Sequence, residues 1–524
     1  MNRRSAIKTA SAGAVSVLGG ITSMSLTSCG QANDASKKFV KQPKKYLKEG
    51  ELFRNASPGV IGVSEKNPHY FQYKGKEILL ITSAEHYGGV VNKAFDYVKY
   101  FDMLAEYGLN YTRIYPGAFI VPTGRWMPED MLTPGENTIV PWARSNEPGY
   151  INGGNKFDLS RWDSEYFVRL RDFLAEAGKR DIIVEICFFN CIHTDQYWQC
   201  SPLHKDANIQ GVGDCDRVAF QSLDHEPLVR EQLRFVEKII VETNEFDNVI
   251  YEFCDEPTSV LTPSHKAYHW IEKLIEAAIE TEGKLPKKHI LAQQLEIGVD
   301  FACDDRVALI VTQYITMSWR QVGGVPALNN CYCFNKPIEF NETAYIGSWI
   351  KEKTDDVLAI SRLEAWEFMV GGGAGFNQLN GYFLPSNPSG ENEFNRKILA
   401  GFRNLRTFLE SFDFVKMTRD RETVRKSSIG ASVNMISEKG RQYAMYIHHS
   451  FPVFDTGSYY EPNYGKYEPV LTLRLEKGDY TVTFIEPATL KTLKEVNVKS
   501  DGEDILLPCP RYDLDLAMKI IAKA

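Results

Sequence analysis

Two glutamates stand where a chain could do proton-transfer and nucleophilic work. Glu256 follows the run Val249-Ile250-Tyr251-Glu252-Phe253-Cys254-Asp255, and Glu342 follows Pro337-Ile338-Glu339-Phe340-Asn341. Each sits at the end of an apolar, strand-like stretch. A carboxyl pair of this kind divides the labour of acetal cleavage: one group stays protonated and hands its proton to a leaving oxygen, while the other, ionised, attacks the carbon or activates water. Two neighbours compete for these roles. Glu252 has the parity of Glu256 along the strand and reads alternatively as a buried carboxylate paired with Arg113, and Glu339 is the rival of Glu342. Other chemistries find less support. No G-x-S-x-G elbow or Ser-His-Asp set suggests an esterase, and no Lys-Ser/Thr follows Gly371-Gly372-Gly373 to make a phosphate cradle. His193, Asp195, Cys200, His204 and Cys215 share one loop region, but their spacing fits no standard ligand pattern, so neither a metal nor a cofactor is expected.

The elements that must position the pair alternate in type. Short β-branched runs recur at Ile78–Thr82, Tyr111–Tyr115, Ile182–Phe189, Val249–Pro257, His289–Ala292, Ala308–Tyr314, Pro337–Glu342 and Gly375–Asn377. Amphipathic stretches such as Ala94–Tyr107, Ser164–Arg180 and Pro227–Thr243 separate several of them, and a long loop is expected from Tyr115 to about Leu159. Eight strands in this rhythm predict a (β/α)8 barrel over residues 56–412. Barrels of this kind carry reactive groups at the C-terminal strand ends, where Glu256 and Glu342 would fall on the fourth and seventh strands. Beyond the helix Asn395–Ser411, alternating runs such as Ala444–His448, Val470–Leu475 and Asp479–Ile485 predict an all-β sandwich over 413–524, either a sugar-binding module or a brace on the barrel.

The first residues read as an address. Met1-Asn2-Arg3-Arg4 and Lys8 give a positive start, an apolar stretch to Leu26 follows, and Leu26-Thr27-Ser28-Cys29-Gly30 closes it. This is similar to the lipobox of bacterial lipoproteins, which implies acylation at Cys29, a signal peptide over 1–29 and a polar tether over 30–55. The paired arginines leave both the general and the twin-arginine export routes open. The expected location is membrane-anchored, periplasmic or at the cell surface. A net charge of -8 over 524 residues gives no reason to expect nucleic acid, and membrane contact is expected only through the lipid. Cys191, Cys200 and Cys215 lie close enough in sequence for a bridge in an oxidising compartment, with no pairing fixed.

With these residues in hand, the chain resembles family 5 and related retaining glycosidases of the large barrel clan. The segment ending Asp255-Glu256-Pro257 is similar to the clan's Asn-Glu-Pro signature, Lys336–Thr343 to its nucleophile segment, and Gly108-Leu109-Asn110-Tyr111-Thr112-Arg113 to the segment ending in an active-site arginine. Phe157–Trp162 and Gly371–Gly375 extend the likeness to cellulase-like lipoproteins of gut bacteria that carry a C-terminal β-domain, so that it covers most of residues 60–520. The resemblance implies a double displacement on an oligo- or polysaccharide, with Glu342 as nucleophile and Glu256 as acid/base. Two positions depart from the family: Asp255 replaces the Asn that donates to a sugar hydroxyl, and Gln313-Tyr314 replaces a His-x-Tyr pattern. An ionised Asp only accepts hydrogen bonds, and its charge would raise the pKa of Glu256. Arg113 and Tyr314 are expected to hold the nucleophile ionised. Glu85, His86 and Glu185 are candidates for sugar hydroxyls, and Trp126, Trp142, Trp198, Trp319 and Trp349 for stacking on a sugar face. The alternative reading is a glycan-binding lipoprotein on a barrel that has lost catalysis.

Overall fold

Eight parallel strands form the central sheet, and every one of their residues is buried. They are β1 (Leu80–Ala84), β2 (Tyr111–Ile114), β3 (Ile183–Asn190), β4 (Val249–Asp255), β5 (Leu291–Gln294), β6 (Leu309–Gln313), β7 (Ile338–Glu342) and β8 (Gly375–Leu379). The computed structural model describes residues 56–84, 88–121, 135–258, 262–296, 298–313, 324–343, 355–453 and 459–523. In space the strands run in sequence order from β2 to β8, and β1 pairs with β8. Between β1 and β2 a side chain does the work of a ladder: Asn110 Oδ1 accepts from the Ile81 amide at 3.2 Å, and its Nδ2 donates to the Leu79 carbonyl at 2.8 Å. The sheet is thereby a nearly closed (β/α)8 barrel, as expected from the sequence.

Helices cover the outside. Tyr97–Glu106, Ser164–Gly178, Glu226–Thr243, Ser264–Glu282, Val325–Cys331, Asp355–Val370 and Glu393–Glu410 follow β1, β2, β3, β4, β6, β7 and β8. The described residues between β5 and β6 hold no helix, so the alternation is broken once. Asp163 starts the second helix by accepting from the Glu165 and Tyr166 amides, and Asn392 caps the last in the same way. The stretch before Leu159, expected to be loop, carries an antiparallel hairpin of Trp142–Pro148 with Asn155–Trp162. Upstream of β1, Lys76–Ile78 belongs to a second hairpin with Phe71–Tyr73, turned at Lys74 and Gly75, both with positive φ. Val60, Ile61, Phe71 and Tyr73 pack with Leu80, Tyr111, Ile183, Ile250 and Leu309 and close the N-terminal end of the barrel.

After the barrel, a six-stranded antiparallel sheet centred on Gln442–His448 and Asp515–Ala522 faces a three-stranded sheet of Val424–Ser427, Val470–Arg474 and Asp504–Pro508. Met445, Leu471, Leu473, Val482, Phe484 and Met518 fill the space between them. This is the expected sandwich. The larger sheet's other face lies on the helix Asp355–Val370, where Trp366 meets Tyr446 and Arg362 pairs with Asp515 at 2.7 Å. That helix is buried nearly all round because it is covered by the barrel on one side and the sandwich on the other. Among the described residues no helix is long and apolar enough to cross a membrane.

Candidate active site

The barrel interior holds an unusual load of charge. Arg113 of β2 is fully buried and donates through Nε to Glu252 at 2.7 Å, while its NH2 group pairs with Asp255 at 2.9 Å. Burial opposes the charge of the guanidinium, but Asp255 and then Glu252 outweigh it and hold the group well above its usual range. Around and beneath it lie Glu185 of β3 and Glu339 of β7, with the Tyr111 hydroxyl donating to Glu185. One cation cannot neutralise this many carboxylates. Burial therefore pushes Glu339 up to about 7, and Glu252, despite Arg113, up to about 8. Glu185 is raised well above the usual carboxylate range by burial and then by Glu339.

Toward the C-terminal mouth the strands stop alternating, and this aims the next set of side chains. Phe188 and Phe189, adjacent in β3, both pack on Phe235 of the helix Glu226–Thr243. Asn190 is then free to turn inward with its register partner Asp255. Asp255 accepts from Arg113 NH2 (2.9 Å) and Gln313 Nε2 (2.6 Å) on Oδ1, and from Tyr115 Oη (2.5 Å) and Asn190 Nδ2 (2.7 Å) on Oδ2. Its lone pairs are thus taken by the protein itself. Gln313 also donates to Gln294 at 2.8 Å, and Gln294 Oε1 accepts from the Glu256 amide at 2.7 Å.

Glu256 has φ 47°, a left-handed conformation that a non-glycine residue rarely adopts. The turn breaks the strand parity and sends its side chain toward the loop after β3. There His193 Nε2 lies 3.2 Å from Glu256 Oε2, and Cys191 Sγ lies 3.5 Å from the same oxygen and 3.3 Å from His193 Nε2. His193 is lowered by burial, against the pull of Asp255, and stands neutral. Glu342, the last residue of β7, has Arg113 NH1 at 3.9 Å, a charge contact without a hydrogen bond. Burial, then Asp255 and Glu256, raise Glu342 well above the ordinary range, and Arg113 only partly opposes them.

Several expected contacts are different in the structure. Arg113 was expected to serve the β7 carboxylate, yet its hydrogen bonds go to Glu252 and Asp255, with Glu342 third. Asp255 was expected to face a sugar hydroxyl, whereas four protein donors saturate it. Glu185 lies in the first half of β3, wholly buried in the barrel interior, and does not reach the mouth. Trp198 is buried, donating Nε1 to the Cys215 carbonyl at 2.8 Å and packing on Phe220; Trp142 is buried against Phe235. Neither ring offers a face to a sugar. Glu85, His86, Trp126, Tyr314, Trp319, Trp349 and Cys29 lie outside the described residues. Asn190, Tyr115, Gln294, Cys191 and His193 join the site without having been singled out for it; a polar residue closing the run Phe188-Phe189 was the one local signal. No disulfide joins the described cysteines.

No protein-family model and no curated protein matches the sequence. Solved structures do. A protein of Bacteroides vulgatus provisionally named a glycoside hydrolase superposes with a TM-score of 0.58 at 12% identity, over 89% of this chain and 82% of its own. A family 5 glycoside hydrolase from the same organism gives 0.57 at 9% identity, over 88% and 94%. The chain has their fold. A third structure, named simply a glycoside hydrolase, agrees over 89% of this chain and 97% of its own at a TM-score of 0.58 and 10% identity. The likeness spans barrel and sandwich together, so the C-terminal sheets belong to the shared architecture.

Proposed function

We propose that the protein is a glycoside hydrolase that cleaves an O-glycosidic bond of an oligo- or polysaccharide with retention of configuration. Glu342 attacks the anomeric carbon, and Glu256 donates a proton to the leaving oxygen and later takes one from water. The observation that carries this reading is the position of the two buried carboxyl groups, Glu342 ending β7 and Glu256 directly following β4, at the C-terminal strand ends of a fold shared with glycoside hydrolases. Burial and Asp255 favour the protonated form of Glu342 in the empty site. Cleavage requires Glu342 ionised beside Arg113. Tyr314, Glu85, His86, Trp319 and Trp349 remain the proposed substrate contacts, and acylation of Cys29 the proposed route to the membrane.

The test is a screen of plant, host and microbial oligosaccharides with the anomer of the first product followed by NMR. Retained configuration is expected; inverted product removes the covalent intermediate. The saturation of Asp255 and the diversion of Arg113 favour the second reading, a barrel that binds glycans without cleaving them. In that case glycans bind with no turnover, and Glu256→Ala and Glu342→Ala have no activity to remove.

A further inference from the structure

The loop after β3 brings three chemically different donors to one point. The cause is register: Asn190 pairs with Asp255, and the Cys191 amide donates to the Asp255 carbonyl at 3.1 Å, so Cys191 runs alongside Glu256. Two residues later His193 folds back over both. Arg217 fixes the loop by donating to the Ile192 carbonyl at 3.0 Å and pairing with Asp195 at 3.3 Å, and the Tyr197 ring stands edge-on to His193.

The spacing of the donor atoms is informative. A tetrahedral zinc ion binds sulfur at about 2.3 Å and nitrogen or oxygen at about 2.0–2.2 Å, which leaves its ligands roughly 3.3–3.6 Å apart. The separations here are 3.2 Å between His193 Nε2 and Glu256 Oε2, 3.3 Å between Cys191 Sγ and His193 Nε2, and 3.5 Å between Cys191 Sγ and Glu256 Oε2. Among the described residues this is the one group whose Cys, His and carboxylate atoms all lie within 4.8 Å of one another. Cys191 and Glu256 are buried, whereas the His193 side chain is 22% exposed, so solvent reaches the cluster on the His193 side.

We propose that Cys191 Sγ, His193 Nε2 and Glu256 Oε2 form a binding site for zinc, with a water in the fourth position. Cys191 Sγ also lies 3.5 Å from His193 Nδ1, so the imidazole must rotate on binding to aim the Nε2 lone pair into the gap. The thiol proton, and that of Glu256 where it carries one, pass to solvent as the Zn–S and Zn–O bonds form, and the imidazole binds through the Nε2 lone pair. Sulfur and nitrogen donors select zinc over magnesium or calcium, which take oxygen. An ion on Glu256 removes its proton-donating oxygen, so occupancy switches off the hydrolase. That consequence rests on the function proposed above; the binding site does not.

The two halves are separable by experiment. Full-length protein stripped of metal is titrated with zinc against a chromophoric chelator, and with cobalt followed by absorption. One zinc per chain is expected, at least tenfold weaker in Cys191→Ser and in His193→Gln, with a thiolate-to-cobalt charge-transfer band that disappears in Cys191→Ser. His193→Gln, at the more exposed ligand, carries the test should Cys191→Ser fail to fold. No stoichiometric zinc, an affinity indifferent to the variants, or cobalt without the thiolate band overturns the site and leaves a hydrogen-bonded cluster only. Zinc inhibition of turnover, reversed by chelator, is expected in the native protein. Stoichiometric binding with undiminished turnover overturns the switch while leaving the site.

Discussion

Asp255→Asn is the most revealing single change. Asp255 and Glu342 compete for one guanidinium: at an effective dielectric of about 20, the 2.9 Å pair of Arg113 with Asp255 is worth about 6 kcal/mol before desolvation, and the 3.9 Å pair with Glu342 about 4 kcal/mol. Asparagine keeps the shape and Oδ1, which goes on accepting from Arg113 and Gln313. At the other atom Tyr115 rotates its hydroxyl to accept, and Asn190 flips its amide so that Oδ1, which has no partner, accepts from the new NH2 group. The negative charge next to Glu342 disappears, and Arg113 turns its field toward the remaining carboxylates. Glu342 is raised in part by Asp255, so its pKa falls when that charge is removed. The sign follows from the role. A nucleophile works ionised, and activity is lost as pH falls through its apparent pKa, so the acid limb of kcat/KM moves to lower pH. The assay is the pH profile of kcat/KM on an activated aryl glycoside, native against variant. An acid limb that stays put, or moves up, in a folded variant refutes the reasoning.

Three further outcomes are expected. Glu256→Ala and Glu342→Ala should each abolish turnover yet leave the affinity for a bound oligosaccharide within about tenfold, by calorimetry, because these groups act mainly in the transition state. Folding should weaken as pH rises from about 5 to 7: Glu339 holds its proton in the fold up to about 7 but would release it near 4.5 in the unfolded chain, so its stabilisation is complete below 4.5 and is lost through about 7. Glu339→Gln should flatten that slope by up to about 3 kcal/mol between pH 4.5 and 7, and a thermal midpoint insensitive to pH in the native protein would contradict the buried acid cluster. Asn110→Ala strands the Ile81 amide and the Leu79 carbonyl at the seam between β1 and β2, and unfolding by urea should show a loss of about 2–4 kcal/mol; a change under 1 kcal/mol would mean that backbone pairing closes the barrel.

The fold was legible because each barrel strand, buried on both faces, is a short β-branched run, and because the sandwich strands alternate with period two. Helix caps and the Lys74-Gly75 turn are local signals as well. The site was legible only at its strand ends, where Glu256-Pro257 and Glu342 close apolar runs. What lay hidden depends on register and parity. Strict alternation fails at Phe188-Phe189, and Glu256 leaves the strand in a left-handed turn, so the parity that linked Glu252 to Glu256 does not survive to the mouth. Glu185 reads as a strand-end acid but lies three residues into an eight-residue strand. Trp142 and Trp198 look the same in sequence as stacking rings and are core. That Cys191 and His193 meet Glu256 follows from pairing between residues 65 apart, which no local pattern announces.

The most direct measurement is covalent trapping. Once a cleaved sugar is known, the protein is incubated with the corresponding activated 2-deoxy-2-fluoro glycoside, digested, and mapped by mass spectrometry. A stoichiometric glycosyl ester on Glu342, absent from Glu342→Ala, is expected. A label on Glu256 would reverse the two roles, and full turnover with no label on either carboxylate would contradict the double displacement itself.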